Sequence, residues 1–231
     1  MKTSIAVALA AVLAGCGGSN LSFSAKAGSS ATTTAASNAL TVSNGAVVSR
    51  IRIVIRDLKL EKASGNESDD SDDDEIKAGP FLLDLQGTTL ENGAVQKVVD
   101  APFTPGQYKE IKLKVHKPSG SEDGNVVSSD PGIAEMASKN ASIIADGTFN
   151  GAPFSYVTDI EAQQKFEGNV TLNAGSNITL NVDPTNWFGT AAAPLDPTVA
   201  ANKSAIDNNI RSSFRAFHDD NHDGHDDESG H

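Results

Sequence analysis

The last fourteen residues hold a patterned set of metal-ligand side chains. Asp219, Asn221 and Asp223 stand at alternate positions, Gly224 follows, and Asp227 lies three further on. Alternate side-chain oxygens on a tight turn can converge on a hard cation, and glycine permits the turn. The pattern is the first part of the Asp-x-[Asp/Asn]-x-[Asp/Asn]-Gly calcium loop. Gly230 stands where such a loop places its closing glutamate. Calcium held by this half-loop is therefore expected to bind weakly, with Kd about 10⁻⁴–10⁻³ M. The competing expectation is a solvated acidic tail without ligand. His218, His222, His225 and His231 lie in the same segment, which makes it at most a loose chelator of transition metals.

Other chemistry is sparser. Tyr108, Tyr156 and Trp187 could stack against a sugar, although aromatics this sparse more often fill a core. Asp84, Asp100, Asp146, Asp159 and Glu161 are carboxylates of the type that glycosidases use in pairs, yet their spacing singles out no pair. His116 is the only histidine before the C-terminal segment. It falls on a lysine-rich strand face, is expected to be exposed, and has no serine and acid in a triad-like pattern. No catalytic residue is assigned, and the expectation is a protein that is not an enzyme.

The N-terminus carries an address. Lys2 precedes nine apolar residues, Ile5 to Leu13, and then Ala14, Gly15 and Cys16. A positive start, a short apolar core and small residues mark a secretory signal, and nine residues fall well short of the ~20 that cross a bilayer as a helix. Leu13-Ala14-Gly15-Cys16 resembles the lipobox of bacterial lipoproteins. The resemblance implies cleavage before Cys16 and acylation of its thiol, including a palmitate-type chain. It also implies anchorage in the cell envelope, at the outer membrane because Gly17 and Gly18 stand where an aspartate would retain the protein at the inner one. Several acyl chains make such an anchor stable. Cys16 is the sole cysteine, so none remains for disulfides or thiolate sites.

The elements that must position these residues follow from patterning. The net charge is −12, with thirty acids against eighteen bases. Thirteen of the acids fall in two short runs, 67–75 and 219–228, so the body is nearly neutral and offers no basic footprint for nucleic acid. Residues 17–40, rich in Gly, Ser, Ala and Thr, read as a flexible tether. Period-two alternation then begins: Ile51, Ile53 and Ile55 share one face, and a change of phase before Leu58 predicts a bulge near Arg56-Asp57. Further strands are expected at 80–85, 95–99, 108–117, 143–149, 153–158, 164–172 and 177–182. Asn150-Gly151 and the 173–176 turn are each expected to close a hairpin. The stretch 118–140 reads as a polar connection. Asp196-Pro197 can start a helix that buries Ile206, Ile210, Phe214 and Phe217.

Several of these strands are similar to a known family. Ile51-Arg52-Ile53-Val54-Ile55 with Leu58-Lys59-Leu60-Glu61-Lys62, then Phe81-Leu82-Leu83-Asp84-Leu85, resemble domain of unknown function 4382, common in bacterial and archaeal lipoproteins. So do Pro105-Gly106-Gln107-Tyr108-Lys109-Glu110-Ile111-Lys112-Leu113 and Leu172-Asn173-Ala174-Gly175 with Thr179-Leu180-Asn181-Val182-Asp183. The resemblance spans roughly 46–188 and implies an antiparallel β-sandwich of the transthyretin or carbohydrate-binding-module kind, with no catalytic residues. The expected layout is a lipoprotein signal over 1–15, a lipidated tether over 16–41 and a mainly β domain over 42–189 with an acidic loop at 64–78. A C-terminal helix over 190–217 and an acidic, His-rich tail over 218–231 complete it. The expected partners are the membrane, through the lipid, and a glycan or another envelope protein.

Overall fold

The computed structural model describes residues 19–28, 39–42, 44–63, 75–91, 93–120 and 124–227. Cys16 and the acidic run except Glu75 lie outside them. In chain order the elements begin β1 (Ser19–Ala27), β2 (Leu40–Thr41), β3 (Val47–Lys62), β4 (Glu75–Ala78), β5 (Phe81–Gln86), α1 (Thr88–Glu91) and β6 (Gln96–Phe103). There follow β7 (Gly106–Val115), α2 (Gly124–Ser129), α3 (Pro131–Ser138), β8 (Ile143–Phe149), β9 (Ala152–Thr158) and β10 (Ala162–Leu172). The chain closes with β11 (Asn177–Val182), β12 (Gly189–Thr190), β13 (Ala193–Pro194), α4 (Lys203–Arg211) and β14 (Phe214–His218).

The fold is mainly β with one C-terminal helix, as the alternation predicts; the larger sheet is antiparallel, and the smaller is mixed because β1 runs parallel to β11. One sheet runs β14-β11-β1-β6, and the other runs β10-β7-β3-β8-β9 with β2, β4 and β5 also paired to β3. β3 is the spine of the larger sheet. Its first half pairs with β8 on one edge and β5 on the other, its second half with β7 and β4. The exchange of partners occurs at a bulge between Ile55 and Asp57, where the change of phase predicts it. Asn150 and Gly151, at φ 52° and 79°, turn β8 into β9, a two-residue loop of the type whose positive φ values favour these residues.

The two sheets bury their facing side chains in one core. Leu21 and Phe23 from β1 and Ile178, Leu180 and Val182 from β11 meet Ile51, Ile53, Ile111 and Leu113 of the larger sheet. The Phe23 and Phe81 rings lie 5.5 Å apart across the gap. Ile206 and Ile210 of α4 join this core. A second apolar cluster forms on the other face of the larger sheet, where Ile133 and Met136 of α3 cover Val54 and Ile144.

Four expectations are corrected. Residues 19–27 are not tether but an interior strand, parallel to β11 and antiparallel to β6. Leu21, Phe23, Ala25 and Ala27 do alternate, but half of that face is alanine, so only the neighbouring strands make it a strand. The 118–140 connection holds α2 and α3. Asp130 caps α3, accepting from the N–H groups of Gly132 and Ile133, and Pro131 occupies its first turn, a favourable pair at a helix start. The 173–176 turn joins no hairpin, because β10 pairs with β7 and β11 with β1, in different sheets. The C-terminal helix spans only Lys203–Arg211. Phe214 and Phe217 belong to β14 instead, since the pairing edge of β11 competes for that segment, and Asp196 binds Thr198 rather than capping a helix.

Helix α3 also supplies charge to the sheet. Arg52 is nearly buried, and its guanidinium reaches Glu135 at 2.7 Å and Asp146 at 2.8 Å. Lys139 first and then Arg52 hold the Glu135 carboxyl down to about 2, against a smaller opposing effect of burial. A carboxyl lowered on folding stabilises the fold above its ordinary value of 4.5, and that contribution disappears as the pH falls towards 2. Glu135→Gln is therefore expected to lower stability by less than about 1 kcal/mol at neutral pH, because the pair is partly exposed. Urea titrations should show the gap between variant and wild type closing on acidification. A chain beginning at residue 42 lacks β1 and is expected to lose cooperative unfolding, which circular dichroism against urea would register.

Candidate functional site

The outer face of the smaller sheet is polar. On β11, Ile178, Leu180 and Val182 point into the core, so Asn177, Thr179 and Asn181 point away from it. Register places Ser22, Ser24 and Lys26 of β1 beside these three residues. On the other edge, Phe217 and Arg215 of β14 stand beside Thr179 and Asn181. Such a row of polar side chains needs either water or a polar cover.

The C-terminal loop is that cover. Asp219 leaves β14 and is fully buried. Its carboxylate accepts from the Thr179 hydroxyl at 2.7 Å and from the Gly224 N–H at 3.2 and 3.3 Å. Asn177 joins the network, accepting from Ser24 and donating to Thr179 and to the Asp219 carbonyl. Lys26 donates to the Gly224 carbonyl, and its ammonium stands 5.9 Å from the Phe217 ring centre. Arg215 pairs with Asp226 at 3.0 Å. Gly224 sits at φ +78°, a conformation that costs an L-residue about 1 kcal/mol or more. The Asp-x-Asn-x-Asp-Gly pattern thus folds into a turn pinned by the buried Asp219 and Gly224, while Asp220, Asn221, His222, Asp223, His225 and Asp227 stay exposed.

The remaining candidate ligands surround this turn without converging. Asn221 Oδ1 accepts from the Asp223 N–H, Asp223 Oδ1 from the His225 N–H, and Asp227 from Asp220 N–H and the Asn221 amide. Among the described residues no group of three or more His, Cys, Asp or Glu stands together as a metal cluster. His218 Nε2 lies 2.8 Å from Asp220 Oδ1, but off the line of a hydrogen bond. Asp219 itself has no ion-pair partner within 4 Å among the described residues, an uncommon state for a buried carboxylate.

No stacking surface is formed by the three aromatic candidates. Tyr108 and Trp187 are 0 % exposed and Tyr156 is 5 % exposed. Each finds a polar partner inside: Tyr108 donates to the Thr104 carbonyl, Trp187 to Ser213, and Tyr156 to Asp207. The core claims them because their ring area outweighs one satisfied polar atom. Tyr156 also belongs to a polar knot that docks α4 on β9. Asp207 accepts from Tyr156 and Thr158, and Lys203 lies 2.8 Å away. Burial pushes the Tyr156 hydroxyl up, reinforced by the Asp207 hydrogen bond. Burial alone would raise Asp207, but hydrogen bonds from Lys203, Thr158 and Tyr156 together hold it below its ordinary value.

The other carboxylates are engaged separately. Asp84 meets Arg50, Asp146 meets Arg52, Asp159 meets Lys117, and Glu161 meets His116. Lys97 first and then Ser22 lower Asp100. His116 is largely covered rather than exposed, because Glu161 and the Lys117 carbonyl take its two ring nitrogens at 2.8 and 2.7 Å.

Ser24, Lys26, Asn177 and Thr179 were not legible as site residues. The available signal was that β11 alternates Asn, Thr and Asn with Ile, Leu and Val, a polar face awaiting a cover. No family model matches this chain, and no curated protein or solved structure proved similar to it. Among the described residues no helix is long and apolar enough to cross a membrane.

Thr179→Val removes the donor to Asp219 and the acceptor of Asn177 while keeping β-branched shape. It is expected to cost about 1–3 kcal/mol, the penalty for leaving buried polar groups unmatched. Urea denaturation of wild type and variant measures it, and an unchanged midpoint would show that the loop does not rest on this contact.

Proposed function

We propose that this chain is a lipid-anchored protein of the cell envelope with a binding role and no catalytic one, and that its C-terminal loop takes calcium weakly. The observation that carries the calcium reading is Asp219: a fully buried carboxylate with neutral donors only, at the first position of a calcium-loop pattern. The Gly224 N–H already reaches back to it, as the sharp turn of such a loop requires. On binding, Asp223 and Asp227 would exchange backbone N–H donors for the ion, with Asn221 and a backbone carbonyl completing the set. That exchange, and the missing closing glutamate, keep the affinity low.

The anchor reading rests on the lipobox pattern at Cys16. Only two residues, Gly17 and Gly18, separate Cys16 from the start of β1, a span of at most about 10 Å. An acylated Cys16 would therefore hold the β-sandwich against the membrane surface rather than on a long tether. The outer membrane remains the proposed location, and a glycan or another envelope protein the proposed partner.

Calorimetric titration of the full chain with calcium tests the loop. A Kd of about 10⁻⁴–10⁻³ M is expected, with loss of the heat in Asp223→Ala, whose side chain is exposed. Calcium at about 100 times Kd should also stabilise the fold by about 2.7 kcal/mol. Absence of heat, or equal heat in the variant, would reject calcium binding here. Retention of Cys16→Ser in the membrane fraction would reject the anchor.

A further inference from the structure

A cavity of about 310 Å³ opens beside the smaller sheet, at the low end of the range for small-molecule sites. It lies where β11 ends, β14 begins, and the last turn of α4 meets a short 3₁₀ turn at Pro184–Asn186. Its lining includes Asn181, Asp183, Asn209, Ser212 and Arg215, together with Trp187. Polar side chains therefore dominate, unlike the usual apolar ligand pocket.

The hydrogen-bonding inventory of this lining is incomplete within the fold. Asn181 Oδ1 has no hydrogen-bond partner among the described residues but is shielded from solvent, so a ligand reaches it only if the side chain turns. Asp183 spends one oxygen on the Thr185 N–H at 3.0 Å, which caps the 3₁₀ turn, and keeps the other. Asn209 spends its Nδ2 on the Asn186 and Trp187 carbonyls, which leaves its Oδ1 as an acceptor. Arg215 gives one nitrogen to Asp226 and retains further donors. Acceptors and donors thus stand around one small space, with a single negative and a single positive group among them.

We infer that this cleft is a binding site for a small neutral polyhydroxyl ligand, a single sugar ring or a short polyol. A hydroxyl both donates and accepts, so it matches amide, carboxylate and guanidinium groups at once. Asp183 disfavours an anion and Arg215 a cation. Trp187 is fully buried and offers no stacking plane, so recognition here runs through the ligand's hydroxyls and not a ring face. The inference gives the proposed binding role a ligand class and rests on that role. It is independent of calcium, although Arg215 touches both the cleft and the loop.

The test uses the full ¹⁵N-labelled chain, titrated separately with D-glucose, D-galactose, N-acetyl-D-glucosamine, myo-inositol and, as a zwitterionic comparison, glycine. Spectra are taken with calcium and with a chelator. The expected result is saturable movement of the Asn181 and Asn209 side-chain amides and the Trp187 indole N–H with at least one polyhydroxyl probe. Asn209→Ala, on the helix surface, should weaken that binding about tenfold, as for one well-made hydrogen bond. Asn181→Asp provides a second, isosteric variant should Asn209→Ala disturb the helix. No saturable shift with any polyhydroxyl probe, or shifts with glycine alone, would overturn the inference. Calcium-dependent shifts at Gly224 report on the loop separately, so the two readings fail independently.

Discussion

A carboxylate taken out of water is tolerated only where hydrogen bonds or opposite charge replace the solvent, and the smaller sheet is organised around one. Asp219 is buried against Thr179 and the turn at Gly224. That contact fixes residues 219–227 over a polar sheet face that would otherwise be open. It also fixes β14, because the residue that ends the strand is the one held in place. Asn177 extends the network to Ser24 on β1, so three strands of the smaller sheet answer to the same polar group.

The larger sheet obeys a different constraint. β3 carries apolar side chains on both faces over part of its length, which is stable only if both are covered. The sandwich core covers one face and α3 the other, and Arg52 can be nearly buried between them only because Glu135 and Asp146 both reach it. Helix α4 then ties the sheets together, through Ile206 and Ile210 in the core and through Asp207 on β9.

What could be read from the sequence was local. The bulge beside Arg56-Asp57, the Asn150-Gly151 turn and the limits of β11 follow from alternation and turn chemistry, which act within a few residues. Partner choice does not. The 173–176 turn has the composition of a hairpin loop, yet the strands on either side join different sheets. β1 has too many alanines and serines to announce itself, and becomes a strand because β6 and β11 flank it. Phe214 and Phe217 keep helical spacing with Ile206 and Ile210, and the free edge of β11 overrides it. At the candidate site the ligand pattern of the loop was legible, but its dock on Asn177 and Thr179 was not, since that surface exists only once β1, β11 and β14 are assembled. The polar cleft is less legible still, because its lining comes from two stretches, 181–187 and 209–215, that meet only in the folded chain.

The role of the C-terminal loop turns on whether the buried Asp219 answers to a divalent cation. Hydrogen–deuterium exchange of the full chain with calcium, with magnesium and with a chelator measures this at the loop itself. Slower exchange across residues 219–227 in calcium alone, with β3 and β8 unaffected, is the predicted result. Identical exchange in all three conditions would contradict it, and would leave Asp219 as a purely structural clasp.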